Sequence, residues 1–153
     1  MNATDIPLEW VPTLVRRYAA TAVDGALMVA ALVMPTALWG PDNPVARAGL
    51  VAFALAAFLV YEPLGTGRFV TLGQWVAGVR VRRFDTGQRI GVIRAFARIV
   101  VKIVLGLVSF LVLPFTPGRR AIHDLATGSI VIMADAGMEF SRWASVRLVG
   151  DGA

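Results

Sequence analysis

The chain has 153 residues, of which 57% are hydrophobic and only 16% are charged, and its mean hydropathy is +0.68. Soluble domains average about 45–50% apolar and about 25% charged residues, so this composition excludes a disordered chain and indicates a membrane protein. Cysteine is absent and His123 is the single histidine, which excludes disulfide scaffolds, thiolate nucleophiles and multi-histidine metal sites. The net charge of +5 is compatible with two kinds of partner, nucleic acid and a membrane surface.

Most of the positive charge lies in one stretch between two apolar regions. Residues 68–102 contain eight arginine or lysine side chains and a single acid, Asp85. Basic residues beside apolar spans are typical of cytoplasmic loops, so we expect membrane lipids and no nucleic acid as partners. Residues 1–12 contain Asp5 and Glu9 and no basic region, so we do not expect them to be a signal peptide.

Two long apolar stretches are predicted to be membrane-spanning helices. The first covers residues 18–39 and contains one charged side chain, Asp24, and the second covers residues 45–64. A spanning helix needs about 20 mostly apolar residues. Arg16 and Arg17 precede the first helix, which predicts a cytoplasmic N-terminus. Small residues recur four apart in both helices, so we expect the two to pack as a hairpin.

The region after the second helix is predicted to form a short interfacial helix at residues 71–78, followed by a strand. Residues 79–82 alternate apolar and basic side chains, and Asp85 begins a turn. Residues 129–133 are a second β-like run, and we expect it to be a pairing partner for this strand. Such pairing would put both strands on one side of the membrane.

Residues 91–117 are predicted to be helical, but their course through the membrane has two interpretations. The apolar part, residues 103–117, has 15 residues and two prolines, which is marginal for a full crossing. It is either a third spanning helix, which we favour, or a re-entrant turn that is broken near Pro114.

A basic stripe marks the start of this helix. Arg94, Arg98 and Lys102 fall four residues apart and therefore on one face. Basic side chains in such a stripe suit the level of the lipid headgroups, so we expect these three to contact anionic headgroups.

The predicted fold is an all-α membrane protein: a helical transmembrane bundle of two to three spanning helices with a small cytoplasmic β-hairpin-like element. Residues 1–13 would form an N-terminal cytoplasmic segment, residues 14–133 the transmembrane domain and residues 134–153 a C-terminal tail. In the tail, apolar residues recur at a spacing of three from Phe140 to Val146, which predicts a short surface helix.

Asp24 is the first candidate for chemistry. Arg17 lies seven residues before it, which is nearly two helical turns, so both face one way and lie about 10.5 Å apart along the axis, with Thr21 between them. An ionised carboxylate inside an apolar span costs several kcal/mol, so Asp24 must find a cation, hydrogen bonds or a proton. It either locks the packing of the helices or forms an ion or proton site.

The sequence Arg-Arg-Ala-Ile-His-Asp that ends at Asp124 is the second candidate. On a helix, Arg119 would face His123 and Arg120 would face Asp124, because four residues separate each pair. The group is either a set of ordinary charge pairs at a helix end, which we favour, or a proton-handling pair of His123 and Asp124.

Glu62, at the inner end of the second helix, is expected to cap the helix or to pair with an arginine of the basic stretch. No enzyme motif is visible. The Gly-Thr-Gly sequence at residues 65–67 lacks the lysine and the serine or threonine of a phosphate-binding loop. We therefore expect no catalytic residue, no metal ligand and no cofactor.

Three segments together resemble the RDD family of small bacterial membrane proteins, which is named for one arginine and two aspartates. Arg17 and Asp24 match the arginine and the aspartate of the family's first helix. The closest match is RRAIHDLATGSIVI, in which Asp124 corresponds to the second aspartate. The resemblance therefore selects the same charged residues as the arguments from burial and spacing.

The middle segment carries the rest of the resemblance. The Thr-Leu-Gly sequence that begins at Thr71 and the Gly-x-x-Val sequence that begins at Gly78 match the family, but Gln74 replaces its usual lysine. The similarity spans about residues 14–133 and implies a multi-pass protein of the bacterial cytoplasmic (inner) membrane. The family is largely uncharacterised, and it implies a role in transport, including cation/proton antiport for some members.

Our first hypothesis is a membrane protein that binds or transports a small ion or solute through an intramembrane Asp-Arg site. Asp24 would be the exchangeable acid, Arg17 would tune its pKa, and His123 with Asp124 would handle protons at the cytoplasmic mouth. So few helices would require a homo-oligomer. The supporting residues would be Thr21, Glu62, Arg119 and Arg120.

Two other classes of function compete with transport. The alternative is a non-catalytic scaffold or accessory subunit of a larger membrane complex, in which the acid and the arginines are structural. A third is a lipid-interacting protein that holds anionic headgroups on its basic stripe.

Overall fold

The computed structural model describes residues 5–39, 43–106 and 108–150. Two long helices, α1 (Leu14–Trp39) and α2 (Pro44–Gly67), form the apolar part of the molecule. Both are long and apolar enough to cross a membrane. The two predicted membrane-spanning helices are confirmed as elements, and each begins slightly earlier than its apolar run.

Most of the surface of α1 and α2 is apolar and exposed. In their most apolar windows, only 17% and 22% of the residues are buried within the chain. The side chains of Val33 and Phe53 are 55% and 73% exposed. Soluble monomers rarely expose such continuous apolar surface, so these helices need lipid around them and the protein is an integral membrane protein.

After α2 the chain forms a short helix, α3 (Leu72–Val76), and a strand, β1 (Val79–Arg83). The hydroxyl of Thr71 accepts a hydrogen bond from the backbone N–H of Gln74 at 3.2 Å, which caps the start of α3. The predicted interfacial helix is therefore present, but it is shorter than expected.

The segment after β1 is a bent pair of helices. α4 (Val92–Leu105) is followed by α5 (Val108–Leu111) and a 3-10 turn, and the two halves are bent by 100°. A bend of this size fits either a broken third span or a re-entrant loop, so both interpretations of this segment remain compatible with the pair of helices. The break falls at Gly106, whose φ of +52° suits glycine, and not at Pro114, which the 3-10 turn accepts at its start.

The chain ends in a helix, a strand and a helix: α6 (Ile122–Ala126), β2 (Ser129–Met133) and α7 (Gly137–Gly150). β1 and β2 pair antiparallel, with Val79 opposite Met133, so the predicted strand pairing is confirmed. Hydrogen-bonded strands must lie on one side of a membrane, because open sheet edges are not found in lipid. This pairing favours the re-entrant interpretation of α4 and α5.

Apolar side chains cover both faces of the small sheet. Val79, Val81 and Val131 pack against Ala20 of α1 and Ala95 of α4. This contact connects the sheet to the membrane helices.

The opposite face of the sheet is covered by α7 and the N-terminal segment. Ile130 and Ile132 pack with Phe140, Ile6 and Val11 in one buried cluster. The helix predicted in the tail is present, but Phe140 is completely buried, so α7 is packed on the sheet through this side chain.

Candidate functional site

Asp124, on α6, is the centre of a buried ionic network. Its carboxylate accepts hydrogen bonds from Arg17 Nη2 at 2.5 Å and from Arg98 Nε at 2.9 Å. Burial raises the pKa of this carboxyl, but Arg98 and Arg17 outweigh burial and hold the pKa well below its usual range. Asp124 is therefore ionised and paired. We call this network the Asp124 cluster, and its members are Asp124, Arg17, Arg98, His123 and Ser109.

His123 is held as a neutral side chain within the Asp124 cluster. Its Nδ1 lies 2.6 Å from Ser109 Oγ, and its Nε2 lies 3.2 Å from Arg98 Nη2. Because the guanidinium can only donate, Nε2 is the acceptor and Nδ1 carries the proton. Burial, together with the charge of Arg98, lowers the pKa of His123 to about 3. A neutral histidine at physiological pH argues against the predicted proton-handling role.

Arg119 and Arg120 do not share a helix with His123 and Asp124, so the predicted pairing four residues apart is wrong. α6 begins only at Ile122, and Arg119 has a φ of +49°, which interrupts any helix before it. Arg119 Nη1 instead donates to the Pro12 carbonyl at 3.0 Å. Its own carbonyl accepts from Arg17 Nη1.

Arg120 holds β2 in place. Its Nε donates to the carbonyl of Ser129 at 2.9 Å, and its guanidinium lies 4.2 Å from the centre of the Phe84 ring. These contacts are structural, because both of them connect parts of the same folded unit.

Asp24 is bound by hydrogen bonds and not by Arg17. Its carboxylate accepts from Thr71 Oγ1 at 2.7 Å, from the Gly73 N–H at 2.8 Å and from Tyr61 Oη at 3.2 Å. Within the described ranges, none of the ion pairs includes Asp24. The expected Asp-Arg site is therefore not formed. Arg17 pairs with Asp124, whereas Asp24 connects α1 to the start of α3.

Gly73 is the position at which this connection depends on glycine. A Cβ added there would lie 2.0 Å from the Ala20 carbonyl oxygen and 2.8 Å from the Asp24 carboxyl carbon. Only a residue without a Cβ lets α3 approach α1 closely enough for the Gly73 N–H to reach the carboxylate. The Thr-Leu-Gly sequence thus supplies two donors to Asp24 and the space that they need.

Glu62, near the end of α2, has a different environment. Its Oε1 accepts from Lys102 Nζ at 2.8 Å, so it pairs with a cation as expected, although the partner is the lysine. Glu62 is only 4% exposed, and within the described ranges its Oε2 has no hydrogen-bond partner. A buried carboxylate oxygen without a partner is costly, because it has lost water and gained nothing.

The predicted headgroup stripe faces the interior at two of its three positions. Arg98 is buried against Asp124, and Lys102 pairs with Glu62, while Arg94 is exposed. The periodicity correctly identified one face of α4. That face meets Asp124 and Glu62, however, because a buried carboxylate needs a cationic partner more than the headgroup level does.

A small polar cavity brings the candidate residues together. Its volume is about 40 Å³, which is enough for about two or three water molecules. Thr21, whose hydroxyl donates to the Arg17 carbonyl at 3.2 Å, also faces it. Among the polar residues that line the cavity are Arg17, Asp24, Glu62, Gln74, Arg98, Lys102 and His123.

A larger groove adjoins this cavity between α1, α2 and α4. Its volume is about 520 Å³, and most of its wall is apolar, from side chains such as Met28, Leu55 and Phe58. Asp24, Glu62 and Lys102 line both spaces, so the groove leads to the acid and the lysine.

Three polar contributors to the site were not among the predicted site residues, although Gln74 was noted where it replaces the family's usual lysine. Ser109 is completely buried and bonds His123, Tyr61 bonds Asp24, and Gln74 Nε2 donates to Thr66 Oγ1 at 2.8 Å. Ser109 is the polar exception in an apolar run, which is the one signal that could have identified it.

Comparison with known proteins agrees with the resemblance noted in the sequence. The sequence profile of the RDD family matches residues 11–128. No curated protein and no solved structure gives a match. The matched region contains α1 to α6 and both ionic sites, and it covers most of the chain. We conclude that this integral membrane protein belongs to the RDD family.

Proposed function

We propose that the protein binds a small cation or a proton in the polar cavity between α1, α2 and α4 and exchanges it across the membrane, with Glu62 as the exchangeable acid. The observation that carries the proposal is the Oε2 atom of Glu62, which is buried beside the cavity and has no hydrogen-bond partner among the described residues. A proton or a cation at this oxygen would satisfy it.

The contacts of the other acids argue for Glu62 in preference to Asp24. Both oxygens of Asp24 accept hydrogen bonds, and both oxygens of Asp124 accept from guanidinium groups. A carboxylate with all of its partners gains little from a further ligand, whereas Glu62 has one oxygen to offer.

Lys102 gives this proposal a means of exchange. Its ammonium group neutralises Glu62, and its side chain is 20% exposed, so it has room to move. A cation that binds Glu62 would compete with Lys102 for the carboxylate and would repel its ammonium group toward the groove, because like charges repel strongly in a low dielectric. The groove then serves as the route to the site. With two or three spans per chain, we place the pathway between two copies.

We further propose that the chain lies in the cytoplasmic membrane of a bacterium with its N-terminus inside. Arg16 and Arg17 at the start of α1, and the basic residues after α2, support this orientation through the positive-inside rule. The absence of cysteine makes the test simple. A single cysteine introduced at Thr13 should react with an impermeant thiol reagent only after the cells are opened, and labelling of intact cells would reverse the orientation.

Cation flux in proteoliposomes tests the proposed function. We expect native protein to couple a proton gradient to cation movement, and Glu62→Gln to abolish that coupling while the protein remains folded. Glu139→Gln is the matched control, because it makes the same chemical change at an exposed acid on α7. Equal flux from native protein and Glu62→Gln would reject the proposal.

The second candidate is a non-transporting subunit of a larger membrane complex. The fully paired Asp124 cluster and the fully bonded Asp24 favour it, since both serve to hold helices together. Purification in mild detergent separates the two candidates. A second copy of this chain supports exchange, and a stoichiometric unrelated protein together with absence of flux supports the subunit.

A further inference from the structure

Another cavity lies beside β1, and it shares the wall residues Gln74 and Val81 with the polar cavity of the proposed exchange site. Its volume is about 350 Å³. It is bounded by the end of α2, by α3, by β1 and by the start of α7. Three arginines, Arg80, Arg82 and Arg89, line it.

The backbone places these three guanidinium groups together. Arg80 and Arg82 are two residues apart on β1 and therefore lie on one face of the strand. Arg89 forms an isolated antiparallel bridge with Arg82, so the two residues lie directly opposite each other. Like charges in opposite positions are destabilising, and the arrangement therefore calls for an anion.

The acids near this cavity do not neutralise it. Asp85 is paired with Arg83 at 2.6 Å. Asp135 lies in the wall of the cavity, and one of its oxygens accepts from the Ala136 N–H at 3.0 Å. Of the ion pairs formed by the described residues, none includes Arg80, Arg82 or Arg89. Three positive charges therefore face one acid.

The hydrogen-bond donors of these arginines are also largely unused. Arg82 Nε is buried and has no hydrogen-bond partner in the part of the chain that the structure describes, and Arg89 donates from Nη1 to the Arg68 carbonyl. Burial, followed by the charges of Arg89 and Arg80, lowers the pKa of Arg82, which reflects the same accumulation of positive charge. The start of α7 lies alongside, since a Cβ at Gly137 would be 3.2 Å from Arg82 Nη2.

We propose that this cavity binds a phosphate group through Arg80, Arg82 and Arg89. Planar guanidinium groups present paired N–H donors that match the oxygens of a phosphate, and they remain charged at all relevant pH values. The group could be supplied by a soluble phosphate compound or by the headgroup of an anionic lipid. The proposal does not depend on the exchange function at Glu62.

Thermal unfolding in detergent with added inorganic phosphate tests the soluble source, with chloride at equal ionic strength as the reference. A ligand that binds only the folded state raises the melting temperature. We expect phosphate to stabilise the native protein, and Arg89→Gln to weaken the apparent affinity at least about tenfold. Arg142→Gln, an exposed arginine on α7 outside this cavity, is the matched control and should respond as the native protein does.

Vesicles of phosphatidylcholine with and without phosphatidylglycerol test the lipid source in the same three proteins. Stabilisation by phosphatidylglycerol but not by phosphate, lost in Arg89→Gln, would assign the site to a lipid headgroup. The proposal is overturned if neither addition stabilises the native protein, or if Arg89→Gln and Arg142→Gln respond equally.

A variant that adds charge keeps the test independent of any loss of folding. Met138 lines the cavity and is 81% exposed, so Met138→Glu can place a carboxylate among the arginines. We expect it to raise the melting temperature in phosphate-free buffer and to reduce the response to phosphate. An unchanged melting temperature with an undiminished response would count against the site.

Discussion

The Asp124 cluster and the Glu62–Lys102 pair are both buried ionic sites beside one cavity, but they differ in how completely they are satisfied. Asp124 accepts from two arginines and from a backbone N–H at 3.1 Å. Glu62 has one cationic partner and one oxygen with none. Fully satisfied polar networks make a fold rigid, whereas the second oxygen of Glu62 is the atom at which we propose that a ligand binds. The following predictions address that difference.

Asp124→Asn should have the largest effect on stability. It would leave Arg17 and Arg98 buried without a counter-charge, and breaking a buried ionic network from one side costs about 3–5 kcal/mol. Denaturant unfolding in detergent measures this loss. Asp85→Asn, which breaks the more exposed pair with Arg83, should cost about 1 kcal/mol or less. Similar losses in the two variants would show that the Asp124 cluster does not hold the helices together.

Gly73→Ala should be the next most damaging change, with a loss of about 3 kcal/mol, because overpacking against a rigid backbone forces helices apart. The added Cβ would collide with the Ala20 carbonyl, so α3 would retreat from α1 and Asp24 would lose a donor. Gly49→Ala on α2 is the matched control, since nothing lies within 4 Å of a Cβ there. Denaturant unfolding of Gly73→Ala and Gly49→Ala measures the two losses of stability. Equal losses would contradict the close approach of α3 to α1.

Acid should destabilise the protein through His123. Its folded pKa of about 3 lies below the ordinary value of 6.5, so its contribution is complete above pH 6.5 and is lost as the pH falls toward 3. The linkage predicts a loss of about 2 kcal/mol at pH 5. The free energy of unfolding should fall less between pH 7 and pH 5 in His123→Gln than in the native protein. An identical dependence in both proteins would place the titrating group elsewhere.

Glu62→Gln should have the smallest effect on stability, because the amide oxygen can still accept from Lys102, and this lysine, which is 20% exposed, can turn toward water when its counter-charge is removed. The same denaturant series measures it. A loss as large as that of Asp124→Asn would mean that Glu62 is as structural as Asp124.

The sequence predicts the elements of this fold well, because each leaves a local pattern. Apolar length identifies α1 and α2, and the two β-like runs identify the strand pair. The bend between α4 and α5 was misjudged, because Pro114 is a more conspicuous breaker than Gly106. Whether a glycine adopts a positive φ is decided by the surrounding packing and not by the local sequence.

The sequence singled out the charged residues of the two ionic sites, but it did not identify most of their partners. Arg17 and Asp124 are 107 positions apart, and only the docking of α6 against α1 brings them together. Helical periodicity pairs residues within one element, so it assigned Arg17 to Asp24 and Arg120 to Asp124. The same limit applies to α4, where spacing identified the basic face but not the acids that it meets.

Carbodiimide labelling tests most directly whether Glu62 is the exchangeable acid. Dicyclohexylcarbodiimide is apolar and reacts with carboxyl groups that can take up a proton in an apolar setting, and the groove beside Glu62 offers that setting. Peptide mass mapping after labelling reports each acid separately. We expect modification at Glu62 that decreases when sodium ions are added, and none at Asp24 or Asp124. Modification at Asp24, or labelling of Glu62 that ignores added cations, would contradict this account.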